Sequence, residues 1–186
     1  MILVFNKPYG VLSQFTKKEP EHRTLAEFGF PKNVYPIGRL DWDSEGMLLL
    51  SDEKEWNELL LHPSHGHVRT YYVQVEGSMT PDALKKLQKG VMIQGHKTKP
   101  AQAKQLDGSG YPPRTPPIRF RLSVPTSWIE LKLNEGKNRQ VRRMTAAVGF
   151  PTLRLIRASI GKFELGDLKP GKWRELDQAQ RELLKK

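Results

Sequence analysis

The sequence predicts an α+β fold with a mixed, largely antiparallel sheet flanked by helices and loops. Three observations point there. "IRFRLSV" and "SWIELKL" alternate with period two, as half-buried antiparallel strands do. "NRQVRRMTAAVG" switches to helical spacing. Strand-like stretches outnumber helical ones, and no 20–50-residue unit recurs. At 186 residues the chain is most simply one domain spanning 1–186, or two closely joined subdomains.

The apolar start "ILVF" reads as a buried strand, "NKPYG" as a turn and "VLSQF" as a second strand. Thr24 caps a brief helix over "LAEF". After "VYPIGR" and "GRLDWDSEGMLLLSD", Asp52 is the expected N-cap of a helix over "EKEWNELLL", which Pro63 ends. "HVRTYYVQVEG" is β-branched and aromatic, a central strand. Thr80 and Pro81 start a helix closed by Gly90. "VMIQG" and "TKPAQAKQL" read as hairpin strands, and "DGSGYPPRTPP" as an exposed loop whose PxxP spacing is that of a connection. Val141, Met144 and Val148 share one face of the next helix, with Gly149 as its stop. Strands near "LRLIRAS" and "GKWREL" and a helix after Asp177 complete the chain.

Composition narrows the function. A hydrophobic fraction of 37% is that of a soluble protein, and no apolar run nears the roughly 20 residues of a membrane span. "MILVFNKPYG" has neither charged leader nor cleavage site, so the protein is placed in the cytoplasm, with no membrane partner. Zero cysteines exclude disulfides, thiolate metal sites and cysteine nucleophiles. Thirty-one Lys and Arg against 20 Asp and Glu give +11, a balance that favours a polyanion such as nucleic acid.

The basic residues concentrate. From Gly136 to Lys162 there are seven (Lys137, Arg139, Arg142, Arg143, Arg154, Arg157, Lys162) and no acidic residue. Arg139 and Arg143 are four apart, so on a helix they share a face with Arg142 beside them. A guanidinium fork suits phosphate, since it can bond two oxygens at once.

Among the carboxylates, Asp41 and Asp43 stand beside Arg39. Ser44 and Glu45 could help the pair hold magnesium, but Arg39 competes with a cation and no second acidic cluster exists. His62, His65 and His67 mimic zinc spacing in what reads as a helix-to-strand connection. No Walker loop, GxGxxG or Gly-x-Ser-x-Gly elbow occurs. An aspartate held by an arginine in a basic setting remains, a plausible nucleophile or base acting on RNA or DNA.

Taken together, "GRLDWDSEGMLLLSD", "RTYYVQVEG", "EGKNRQVRRM", "NKPYGVLSQ" and "LKPGKWREL" resemble, in order and spacing, the motifs of RNA pseudouridine synthases, in the branch typified by the small-subunit-A-type enzymes of ribosomal RNA. The resemblance covers almost the whole chain. Arg69 stands where that family usually has lysine and Val141 where it has isoleucine. Many relatives begin with an S4 RNA-binding domain, whereas "ILVFNKPYG" already matches the catalytic part, so no S4 domain is expected here.

The resemblance implies a pseudouridine synthase fold with a central basic cleft, acting as a monomer on ribosomal RNA, that of the large subunit. The reaction breaks the N1–C1′ bond of a flipped-out uridine and rejoins the uracil through C5, with no cofactor and no metal. Asp41 is implied as the catalytic aspartate, adding to the ring or sugar or promoting elimination. Tyr71 is implied to lie against the base and share in proton transfer, and Arg142 to pair with the aspartate. Leu155 is implied to pack under the uracil. Arg39, Lys137, Arg139, Gln140 and Arg143 are the expected RNA contacts, and Asp43 has no implied role. Two other readings stay open at this point: a non-catalytic RNA-binding or ribosome-assembly protein on the same fold, and a hydrolase pairing Asp41 with Asp43.

Overall fold

A computed structural model describes residues 1–185. The chain divides into two compact units, Met1–His67 with the C-terminal stretch from Arg157, and Val68–Ile156. Strand Thr152–Ile160 runs from the second unit into the first. The architecture is α+β, and its main strand pairings are antiparallel. A short parallel pair, Val11–Leu12 with Arg23–Thr24, forms a separate two-stranded sheet. No helix among the described residues is long and apolar enough to cross a membrane.

In the first unit the apolar start forms strand Ile2–Lys7, buried at every residue. It pairs along its whole length with Glu45–Ser51, Ile2 opposite Ser51 and Lys7 opposite Gly46, and on its other edge with Trp173–Glu175. "EGMLLLS" is buried throughout too, as a strand covered on both faces must be. By period two, Leu48 and Leu50 join Leu3 and Phe5 in one cluster, against which Phe15, Phe28, Phe30 and Trp173 pack. The Phe5 ring lies 4.8 Å from Phe28 and 5.1 Å from Phe30. Each such buried side chain is worth about 1.5–3 kcal/mol, which fixes the strand from which the Lys7 turn departs.

Thr24 caps a single 3-10 turn, Leu25–Phe28, through a capping box with Glu27. Helix Glu55–Leu61 starts after Lys54 rather than at the expected Asp52. The Asp52 carboxylate accepts instead from the Met1 ammonium at 2.6 Å, and Glu53 pairs with the same ammonium. An ion pair with a charged donor displaces a bond to a neutral backbone N–H, a cap of about 1 kcal/mol. At the C-terminal side, Asp177 accepts from the Gln180 backbone N–H at 2.8 Å and caps helix Gln178–Leu184.

In the second unit strands Arg69–Glu76, Thr126–Leu133 and Gln102–Leu106 lie side by side, antiparallel in that order. Val73, Val75, Ile129, Leu131 and Leu133 point into one core with Leu87 of helix Pro81–Lys89 and with Val141 and Met144 of helix Gln140–Ala147. The apolar stripe read from the sequence therefore faces inward. Thr80 caps the first of these helices, its hydroxyl accepting from the Ala83 N–H at 3.2 Å.

Two expected strands are placed differently. Met92–Ile93 pairs with His96–Lys97 across Gln94–Gly95, while "TKPAQAKQL" supplies Gln102–Leu106 to the sheet. Gln94 and Gly95 have φ of 47° and 79°, the left-handed pair that closes a two-residue hairpin. "IRFRLSV" is not a strand at all: Phe120 and Leu122 are 51% and 94% exposed, and residues 121–124 turn with the Val124 N–H on the Arg121 carbonyl at 3.0 Å. Alternation alone does not make a strand: this segment pairs with none, and Thr126–Leu133, which it leads into, already has a neighbour on each side.

Candidate active site

The first unit carries the Asp41 turn, and its geometry comes from the backbone. Ser13 clamps Leu40 from both sides, its Oγ donating to the Leu40 carbonyl at 2.7 Å and accepting from the Leu40 N–H at 3.1 Å. The Gly10 N–H donates to the Trp42 carbonyl at 2.9 Å, and the Ser44 N–H closes a turn onto the Asp41 carbonyl at 3.0 Å. Leu40 is buried, Asp41 and Asp43 are half-buried, and Trp42 between them is exposed. Asp41 thus sits on a loop held by backbone bonds and by Ser13. Arg39 is exposed, with Nη2 on the Gln14 Oε1 at 3.2 Å.

Strand Glu45–Ser51 anchors the far side of the turn. Gly46, at φ +99°, passes so close to the Arg157 backbone that a Cβ would lie 2.4 Å from its carbonyl oxygen. The Arg157 Nε donates to the Met47 carbonyl at 2.8 Å in the same crossing.

Lys7 is the residue that the sequence reading missed. It is fully buried, and its Nζ donates to the Val11 carbonyl at 2.8 Å and the Pro8 carbonyl at 3.0 Å. Burial pushes its ammonium down from 10.5 to about 7; the carboxylates of Glu45, Asp43 and Asp41 oppose the shift, and Arg157 adds to it. The signal available was a lysine directly continuing an apolar strand, which reads as an ordinary turn residue unless its partners are known.

That depressed lysine has a thermodynamic consequence. Between about pH 7 and 10.5 the folded chain holds fewer protons at Lys7 than the unfolded chain does. Stability must therefore rise with pH across that window, by about 1.4 kcal/mol per unit where the difference approaches one proton. Urea unfolding between pH 8 and 10 should show this slope in the parent relative to Lys7→Met. Parallel stability curves for the two proteins would refute the assignment.

The second unit carries the other expected residues. Tyr71 is half-buried on strand Arg69–Glu76, opposite Leu131, and packs against the core cluster that contains Leu155. The structure thus brings Tyr71 and Leu155 to one cluster. Arg142 and Arg143 lie half-buried on helix Gln140–Ala147. The Arg143 guanidinium donates to the Gln94 Oε1 at 2.5 Å and to the Asn138 carbonyl at 2.6 Å, tying the helix to its preceding loop and to the Met92–Lys97 hairpin.

Lys137 and Arg139 are exposed in that loop, and Arg139 holds φ +51°, a left-handed conformation uncommon outside glycine. Gln140 faces inward and is only 3% exposed. Its Nε2 donates to the Glu135 Oε1 at 2.6 Å and its Oε1 accepts from the Lys137 N–H at 2.9 Å. In this structure, then, Gln140 orders the loop that displays Lys137. Arg154 and Arg157, counted with the basic stretch, are buried as well: Arg154 donates to the Pro112 carbonyl at 2.9 Å.

The histidines hold their own connection together. His65 Nδ1 and His67 Nε2 each lie 2.9 Å from the Leu59 carbonyl, and His62 Nδ1 lies 2.7 Å from the Ser64 Oγ.

Residues 1–147 match the family described as RNA pseudouridylate synthase. The ribosomal large subunit pseudouridine synthase E of Xanthomonas campestris pv. campestris is 51% identical over 176 residues, covering 94% of each chain. The synthase of the same name from Vibrio parahaemolyticus is 46% identical over 175 residues, covering 94% of this chain and 73% of its own. Among solved structures, a crystal structure of a pseudouridylate synthase aligns with a TM-score of 0.81 at 27% identity, covering 98% of this chain and 73% of the other.

Proposed function

The chain belongs to the RNA pseudouridylate synthase family, and from that premise we propose which RNA it takes and which residues act on it. It is an enzyme that converts uridine to pseudouridine in ribosomal RNA. Large-subunit RNA is the proposed substrate, because relatives 46% and 51% identical carry that designation. In this reading the enzyme works as a monomer in the cytoplasm.

The observation that carries the chemistry is the Asp41 turn, which holds a half-buried carboxylate on a backbone fixed by Ser13 and Gly10. Asp41 meets the reacting nucleotide. The N1–C1′ bond breaks, the uracil turns, C5 bonds to C1′, the proton on C5 departs, and N1 takes up a proton in its place. The atoms balance without a co-reactant, since the product is an isomer.

A stacked uridine does not expose these atoms, so the target is extruded at a cost of a few kcal/mol. Tyr71 supplies an aromatic wall for the base and Leu155 an apolar contact, and Arg142 supplies the positive charge that pairs with the aspartate. Arg39, Lys137, Arg139 and the outer donors of Arg143 answer the phosphates. Gln140 acts at one remove, through the Lys137 loop that it orders.

The test is loss of tritium from protein-free ribosomal RNA labelled at uridine C5. Large-subunit RNA should release it and small-subunit RNA should not. No release from either would reject the activity, and release from small-subunit RNA alone would reject the substrate.

A further inference from the structure

Trp42 has no place in the chemistry above, yet its setting is a built one. Of the four tryptophans it is the exposed one, at 45%, whereas Trp56 is 7% exposed and Trp128 and Trp173 are half-buried. Its neighbours in the chain are Asp41 and Asp43, so no apolar run accounts for it. Its ring is nevertheless held. Tyr9 stands 5.1 Å away at 54°, the Gly10 N–H binds the Trp42 carbonyl at 2.9 Å, and a Cβ on Gly10 would come within 4.0 Å of the indole.

A large aromatic face that is propped on one side and open on the other suits a flat, apolar partner. In a chain of net charge +11, with Arg39 exposed three residues earlier, that partner is part of a polyanion. A nucleobase meets both requirements, and a ring already fixed gives up little entropy on stacking. The placement also sets which base. Consecutive Cα atoms lie about 3.8 Å apart, so a base on Trp42 lies close to the nucleotide that reacts with Asp41.

We infer that Trp42, propped by Tyr9, is the platform on which an unpaired base beside the target uridine stacks, making it a substrate-positioning residue. The inference rests on the reading of the chain as an enzyme of RNA. Stacking of this kind tolerates any base, so it supplies affinity and register, while sequence choice lies elsewhere.

Tryptophan fluorescence reads this contact directly. A large-subunit ribosomal RNA transcript should quench the parent protein, the quench should vanish in Trp42→Phe, and it should persist in Trp56→Phe. Trp42→Ala should raise KM for that transcript about 10-fold, and Trp42→Phe, which keeps an aromatic face, should recover most of the loss. An abasic nucleotide beside the target should weaken the parent by a similar factor and add little to Trp42→Ala, which marks the two changes as one interaction. A quench that survives in Trp42→Phe, or equal KM for Trp42→Ala and the parent, would overturn the inference even if tritium release is normal. Absence of release from the parent would instead strike the underlying function.

Discussion

Asp41→Asn is expected to lower tritium release from labelled large-subunit RNA by about 10⁴-fold or more while leaving RNA affinity within about twofold of the parent. The exchange is nearly isosteric and removes only the charge. The turn should survive it, because backbone bonds and Ser13 hold residues 40–44. Binding should survive because the proposed phosphate contacts lie on other side chains. Thermal unfolding close to that of the parent would confirm that chemistry rather than folding was lost. Residual turnover within about tenfold of the parent would remove Asp41 from the reaction.

The same experiment separates the two aspartates. Asp43 is half-buried like Asp41 and also acts on buried Lys7. If the two worked as a hydrolytic pair, their neutral variants would lose comparable activity. In the present reading only Asp41 is needed for bond breaking, and Asp43 belongs to the charge balance around Lys7.

How much of this was legible beforehand depended on whether a signal was local. The strand "SWIELKL", the helix expected over "NRQVRRMTAAVG", which runs Gln140–Ala147, and the Asp177 and Thr80 caps carry their periodicity or cap chemistry within a few residues, and each is present. "IRFRLSV" has the same alternation but pairs with no strand, because whether alternation becomes a strand is decided by partners elsewhere in the chain. Asp52 lost its expected cap role to the chain's own ammonium, fifty-one residues away.

At the site, Asp41 and Arg39 were visible because charges beside one another in a short motif stand out. Lys7 was not. Its partners come from residues 8 and 11, from the 41–45 turn and from Arg157, and burial rather than sequence spacing gives it its character. Arg154 and Arg157 misled in the opposite sense, since a run of basic residues reads as surface until a strand carries two of them inside.

Gly46→Ala is expected to cost the first unit roughly 3 kcal/mol. Two penalties add. The position has φ +99°, where a side chain is strained, at about 1–3 kcal/mol. The new Cβ would also lie 2.4 Å from the Arg157 carbonyl oxygen and 2.8 Å from its nitrogen, so backbone rather than a flexible side-chain end must yield, at a further 1–3 kcal/mol. The stiffer unfolded chain returns only about 0.4–1 kcal/mol. For a chain of this size the balance lowers Tm by roughly 6–12 °C, measurable by calorimetry or urea unfolding. The crossing also carries the Arg157 Nε bond to Met47, and Gly46 is five residues from Asp41, so the surviving folded fraction should turn over more slowly than the parent. A Tm within 2 °C of the parent would show that the two strands can part here. In that case the Asp41 turn would not owe its position to this crossing.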